Sequence, residues 1–131
     1  MWLTAAEAAI FKRAETTGYL MTRPGRHADA VVDAWRAWCE GEGRPCLGLH
    51  LSDPAFLWFA PAIGGRELTE ESQKRLVLLL AGLGVGPWEC EPGALWAELP
   101  LTLAGPVTQL LAELVRLQVI ETRPTSPADA P

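Results

Sequence analysis

PCLGLHLSDPAFLWFAP, residues 45–61, reads as two strands folded back on each other at Ser52-Asp53-Pro54. Two apolar runs of strand length, joined by a turn triplet and bounded by proline, are the signature of a β-hairpin. Successive side chains on a strand alternate in direction, so Leu47, Leu49 and Leu51 point to one side and Cys46, Gly48, His50 and Ser52 to the other. On the return run Phe56, Trp58 and Ala60 oppose Ala55, Leu57 and Phe59. A return strand that is apolar on both faces needs cover on both sides, or else keeps one aromatic face for a partner.

Upstream of the hairpin, Thr4-Ala5-Ala6-Glu7 is a capping box that opens a helix over about Ala5 to Glu15. Tyr19-Leu20-Met21-Thr22 is a short β-prone segment stopped by the Arg23-Pro24-Gly25-Arg26 turn. From His27 the period becomes helical, with Val31, Trp35, Trp38 and Cys39 on one stripe and Asp29, Asp33, Arg36 and Glu40 on the other, until Gly41 and Gly43 end it. Downstream, Ile63-Gly64-Gly65 leads to Thr69, a cap residue followed by two acids that favour the positive end of a helix. Glu70/Lys74 and Glu71/Arg75 support that helix, and Leu76, Leu79, Leu80 and Leu83 form its expected buried stripe. Glu91-Pro92-Gly93-Ala94 fits a type II turn between strands at Trp88 to Cys90 and Ala94 to Leu99. Val107, Leu110, Leu111, Leu114 and Leu117 mark a last amphipathic helix.

The order α, then β-α-β-β-α-β, then α predicts an α+β fold: a ferredoxin-like βαββαβ sandwich with an added N-terminal helix and an added C-terminal helix. At 131 residues the chain suits a single domain, expected over residues 1–122, with 123–131 (RPTSPADAP) as a disordered C-terminal tail. With 49% hydrophobic and 21% charged residues, the composition is that of a globular chain.

The net charge of −5 opposes wholesale binding to nucleic acid or anionic membrane, which rely on Lys and Arg to displace counterions. Acidity concentrates in the second half: five Lys/Arg face nine Asp/Glu over residues 61–131, against six and seven over 1–60. Cys39, Cys46 and Cys90 make no CxxC pair and no zinc spacing, so a reduced, cytoplasmic protein without metal or cofactor is expected. The start of the chain lacks the charged-then-apolar order of a signal peptide. The apolar run at Leu76 to Val85 is about half the length of a membrane span.

Catalytic constellations are nearly absent, and no catalytic residue is assigned. His27 and His50 are the only histidines, and no GxSxG, HExxH, P-loop or GxGxxG surrounds them. Gly82-Leu83-Gly84-Val85-Gly86 follows a helix and so cannot aim helix-start amides at a phosphate. His50, Ser52 and Asp53 read as a structural histidine beside a turn, since no nucleophile is oriented by their spacing.

Two polar or aromatic features point to binding. Arg23, Arg26 and His27 lie between a strand end and a helix start, where guanidiniums and backbone amides favour an anion. Six tryptophans are more than a core of this size needs; with Trp35 and Trp38 at core spacing, Tyr19, Phe56, Trp58, Trp88 and Trp96 are the candidates for a partner surface, because Trp is enriched among binding hot spots.

The favoured reading is a non-catalytic protein-binding module, an accessory subunit or inhibitor of a larger complex, with a protein partner and with homodimerisation left open. A small-anion binder, or an enzyme of unrecognised type, centred on Arg23, Arg26 and His27 is the second reading. Single-stranded nucleic-acid binding on an open sheet face is the third. Against the third stand the acidic balance and the lack of a basic-glycine-aromatic run in PAFLWFAP.

Overall fold

The computed structural model describes residues 3–25 and 28–124. The Thr4 box forms as expected: Thr4 Oγ1 accepts from the Glu7 amide, Glu7 accepts from the Thr4 amide at 2.7 Å, and helix α1 (Ala5–Thr17) ends at Gly18 with φ +89°. Strand β1 (Leu20–Thr22) is followed by α2 (Ala28–Glu42), which returns the chain to β2 (Cys46–His50). β1 and β2 pair in parallel, so α2 is the crossover that parallel pairing requires. The hairpin is present, with β2 antiparallel to β3 (Ala55–Ala60) and Gly48 opposite Trp58.

Two short strands then form that the sequence reading passes over. β4 (Ala62–Ile63) and β5 (Arg66–Leu68) are joined by Gly64 and Gly65 at φ +58° and +77°, the pair of positive dihedrals that a tight two-residue hairpin demands. Helix α3 (Glu70–Ala81) follows its Thr69 cap, then β6 (Glu89–Glu91) and β7 (Ala94–Leu99) form the second hairpin around Gly93 at φ +83°. A 3-10 turn (Leu101–Leu103) enters α4 (Ala104–Arg116), and β8 (Thr122–Pro124) closes a small sheet of order β4-β5-β8. Arg123 and Pro124, the expected start of the tail, thus pair with Glu67 and Arg66, and residues 125–131 lie outside the described ones.

The main sheet is mixed, with strand order β1-β2-β3-β7-β6. The fold is therefore α+β, with four helices among the described residues, but its strand order differs from the ferredoxin-like sandwich. In that plan a strand separates the two parallel strands and both crossover helices share a face. Here β1 lies directly beside β2, and β7 takes the other side of β3, matching Trp58 with Trp96 and Leu57 with Ala97. The helices also divide between the two faces. Leu76 and Leu80 of α3 and Val107, Leu111 and Leu114 of α4 pack with Leu47, Leu49, Leu57, Phe59 and Leu99. Ala14 of α1 and Val31, Trp35 and Cys39 of α2 pack with Leu20, Cys46 and Ala60 on the opposite face. Helices thereby cover β3 fully on the α3/α4 side, at Ala55, Leu57 and Phe59, but on the α1/α2 side only at Ala60, where Phe56 and Trp58 stay partly buried.

Two expected stripes shift. On α3 the buried row is Ser72, Leu76 and Leu80, and Leu79 is half exposed, because an i,i+4 row fits the narrow contact of one helix against a sheet. On α4 the helix ends at Arg116, so Leu117 falls past the last turn and faces outward.

Candidate functional site

Helix α2 runs over β1 and β2, and among the described residues no helix lies over the β7-β6 side of that face. Cross-strand partners share a face of a sheet, so the pairings Trp58 with Trp96, Phe56 with Glu98, Glu89 with Trp96 and Glu91 with Ala94 place all these side chains on the α2 side. Phe56, Trp58 and Trp96 are only half buried there, and the Phe56 and Trp96 rings meet edge to face with centroids 5.5 Å apart. Val32 and Arg36 of α2 form the opposing wall of a groove of about 340 Å3. Arg36 donates from Nη2 to the Gly93 carbonyl at 3.3 Å, tying α2 to the β6-β7 turn. Glu89, Glu91 and Glu98 are exposed around the rings and give the groove an acidic margin, with Arg36 as a cation inside it.

Gly48 shapes this groove. The Trp58 indole fills the space above Gly48, and a Cβ at that position would overlap it at Cε2, Cζ2 and Nε1. Sequence reading places Gly48 with Cys46, His50 and Ser52 on the face opposite the leucines and gives it no role; its actual signal is the glycine-tryptophan cross-strand match, visible only once the hairpin register is known.

The structure brings Phe56, Trp58 and Trp96 together and places the other two aromatic candidates elsewhere. Tyr19 is 8% exposed and packs with the α3/α4 side of the sheet. Trp88 stacks edge-on against Phe59, 5.3 Å between centroids, on that same far side. The Trp88 Nε1 is buried without a hydrogen-bond partner among the described residues. Of the anion candidates, Arg23 is exposed after β1, and Arg26 and His27 lie outside the described residues.

The polar residues elsewhere are occupied structurally. A 2.7 Å hydrogen bond joins His50 Nδ1 to Thr22 Oγ1 across the β1-β2 pair, and Ser52 donates to the Pro54 carbonyl, so neither is aimed at the other. Trp35 donates from Nε1 to the Leu47 carbonyl at 3.0 Å, and Trp38 stacks on Trp35 at 5.1 Å with the Arg44 guanidinium over the Trp38 ring, 5.2 Å from its centroid. Cys39 of α2 and Cys46 of β2 are both fully buried in one core. The neighbouring Cys46 thiol, then burial and the charge Cys46 would carry, push the Cys39 thiol far above the usual range, and the Cys39 thiol in turn lowers Cys46. Among the described residues no group of three or more His, Cys, Asp or Glu is placed to hold a metal ion. No helix among them is long and apolar enough to cross a membrane.

No protein-family model, curated protein or solved structure matches this chain.

Proposed function

We propose that this protein is a non-catalytic protein-binding module of the cytoplasm that holds a basic segment of its partner, carrying an aromatic or aliphatic anchor, in the groove of Phe56, Trp58 and Trp96. The observation that carries the reading is the company these rings keep: three large aromatics side by side on the uncovered half of a sheet face, bordered by Glu89, Glu91 and Glu98. Large aromatic rings left only partly buried on a rigid sheet are an unfavourable use of apolar surface unless something buries them in turn. Carboxylates at the margin supply long-range attraction and register for Lys or Arg, while the rings supply the short-range energy. The acidic margin opposes a phosphate backbone, which sets nucleic acid behind a protein partner.

The test is a selection of random peptides displayed against the full chain, run in parallel on Trp58→Ala/Trp96→Ala and on Glu89→Gln/Glu91→Gln/Glu98→Gln. Peptides combining Lys or Arg with an aromatic residue are expected to enrich on the native chain alone. Trp96→Ala is expected to weaken the best of them by about 2 kcal/mol, the loss typical of a hot-spot ring. Enrichment of the same peptides on the double tryptophan variant, or no enrichment at all, overturns the reading.

A further inference from the structure

We propose that a second site, at the free edge of β1, binds a small amphiphilic carboxylate: one carboxylate head on a short apolar tail, as in a medium-chain fatty acid. It is independent of the aromatic groove and uses different residues. A cavity of about 290 Å3 lies where α1 meets β1 and the chain leaves for α2, just below the roughly 300–1000 Å3 of drug-sized ligand pockets and so suited to a smaller molecule. Its walls are Ile10 and Ala14 of α1, Tyr19 and Met21 around β1, Val31 of α2 and Leu51 after β2. Arg13 and Arg23 also line it, and both are exposed.

The class of ligand follows from which polar groups are still free. Of the three hydroxyl-bearing residues that line the cavity, Thr22 is bonded to His50 and Thr17 donates to the Tyr19 carbonyl at 2.9 Å, so both threonine hydroxyls are already used and the Tyr19 phenol is the third. Arg13 and Arg23 have neither an ion pair nor a hydrogen bond to any described residue. Two uncompensated guanidiniums beside an apolar cavity select an anion, and a carboxylate or similar oxyanion is the group their paired N–H donors fit. The mainly apolar wall then requires that the anion bring a tail, which excludes sugars and free inorganic ions. Position favours this too, since β1 has a neighbour on one side only and nothing in the main sheet closes its other edge.

Met21 provides a local reporter, because the sequence holds only two methionines. Full-length protein carrying 13C-methyl methionine is titrated with octanoate, with acetate as the head-only control and octanol as the tail-only control, and heats are measured in parallel. The expected result is a saturable shift of the Met21 methyl with one-to-one stoichiometry for octanoate, and no shift with acetate. Arg13→Ala/Arg23→Ala is expected to bind octanoate about tenfold more weakly, the loss of about one charge-assisted hydrogen bond, with its melting temperature unchanged. Should the double variant melt early, Arg13→Gln and Arg23→Gln singly provide the same comparison. An unmoved Met21 methyl, octanol binding as tightly as octanoate, or arginine variants with native affinity each overturn the site.

Discussion

Gly48 and Trp58 are two residues with one geometry between them. The indole covers the glycine backbone on the α2 side of the sheet, and Gly48 is buried beneath it. Gly48→Ala is expected to destabilise the chain by about 1–3 kcal/mol, the usual cost of forcing an extra methyl into a filled space. Denaturant melts of Gly48→Ala, Trp58→Ala and the double variant check this. The penalty of the alanine should vanish in the Trp58→Ala background, since the ring it strikes is gone. The cysteines make a second prediction at this scale. Cys90 is exposed, whereas Cys39 and Cys46 are buried, and Cys39 is held protonated far above the usual thiol range. Thiolates are the species that alkylating reagents attack. Iodoacetamide at mildly alkaline pH should therefore label Cys90 in the native chain and all three thiols in denaturant, as mass spectrometry of the digested products will read.

At the scale of elements, capping explains which helices were readable. Thr4 and Thr69 announced α1 and α3 because a side-chain oxygen accepting an orphan amide leaves a fixed local spacing, and both caps form. The hairpins at 45–61 and around Gly93 were readable for the same reason: turn chemistry and alternation are local. Strand order was not, because nothing local states that β7 rather than β1 will flank β3, nor which face receives each helix. The groove shares that limit. Phe56, Trp58 and Trp96 could be named as large and unplaced aromatics, but their meeting depends on the β3-β7 register, and Arg36 and Val32 join them through α2. Tyr19 and Trp88 looked equivalent in sequence and went to the other face because of strand parity.

Ser72 shows how an element is tied to the end of the chain. Its hydroxyl accepts from the Glu121 amide at 2.8 Å and from Thr69 Oγ1 at 2.8 Å, joining the first turn of α3 to the approach to β8. Ser72 is 2% exposed. Ser72→Ala should cost about 1–3 kcal/mol, because the Glu121 amide loses its acceptor in a site with little water. A shift in denaturant midpoint without a change in slope is the expected result, and an unchanged midpoint would show that water replaces the hydroxyl.

For the whole molecule, one sheet carries two cores. The α3/α4 core and the α1/α2 core share β2 and β3 as their common wall, Leu47, Leu49, Leu57 and Phe59 turning one way and Cys46 and Ala60 the other. Neither helical layer can leave without exposing a face of strands on which the other layer rests, so the two cores should unfold together. Tryptophans report both: Trp35 lies in the α1/α2 core and Trp88 packs against the other. Urea unfolding followed by tryptophan fluorescence in Trp35→Phe and in Trp88→Phe chains, and by far-ultraviolet circular dichroism, should give coincident transitions within each variant. Hydrogen exchange should grade the same structure from its centre outward. β3 has two strands on each side, whereas β1 and β6 are three-residue edges with one neighbour. Amides of β3 and of its neighbours β2 and β7 should then exchange only on global unfolding, and those of β6 by local opening orders of magnitude faster. Separate transitions for the two tryptophan reporters, with β3 exchanging as fast as β6, would mean that the hairpin is not the shared wall on which both cores depend.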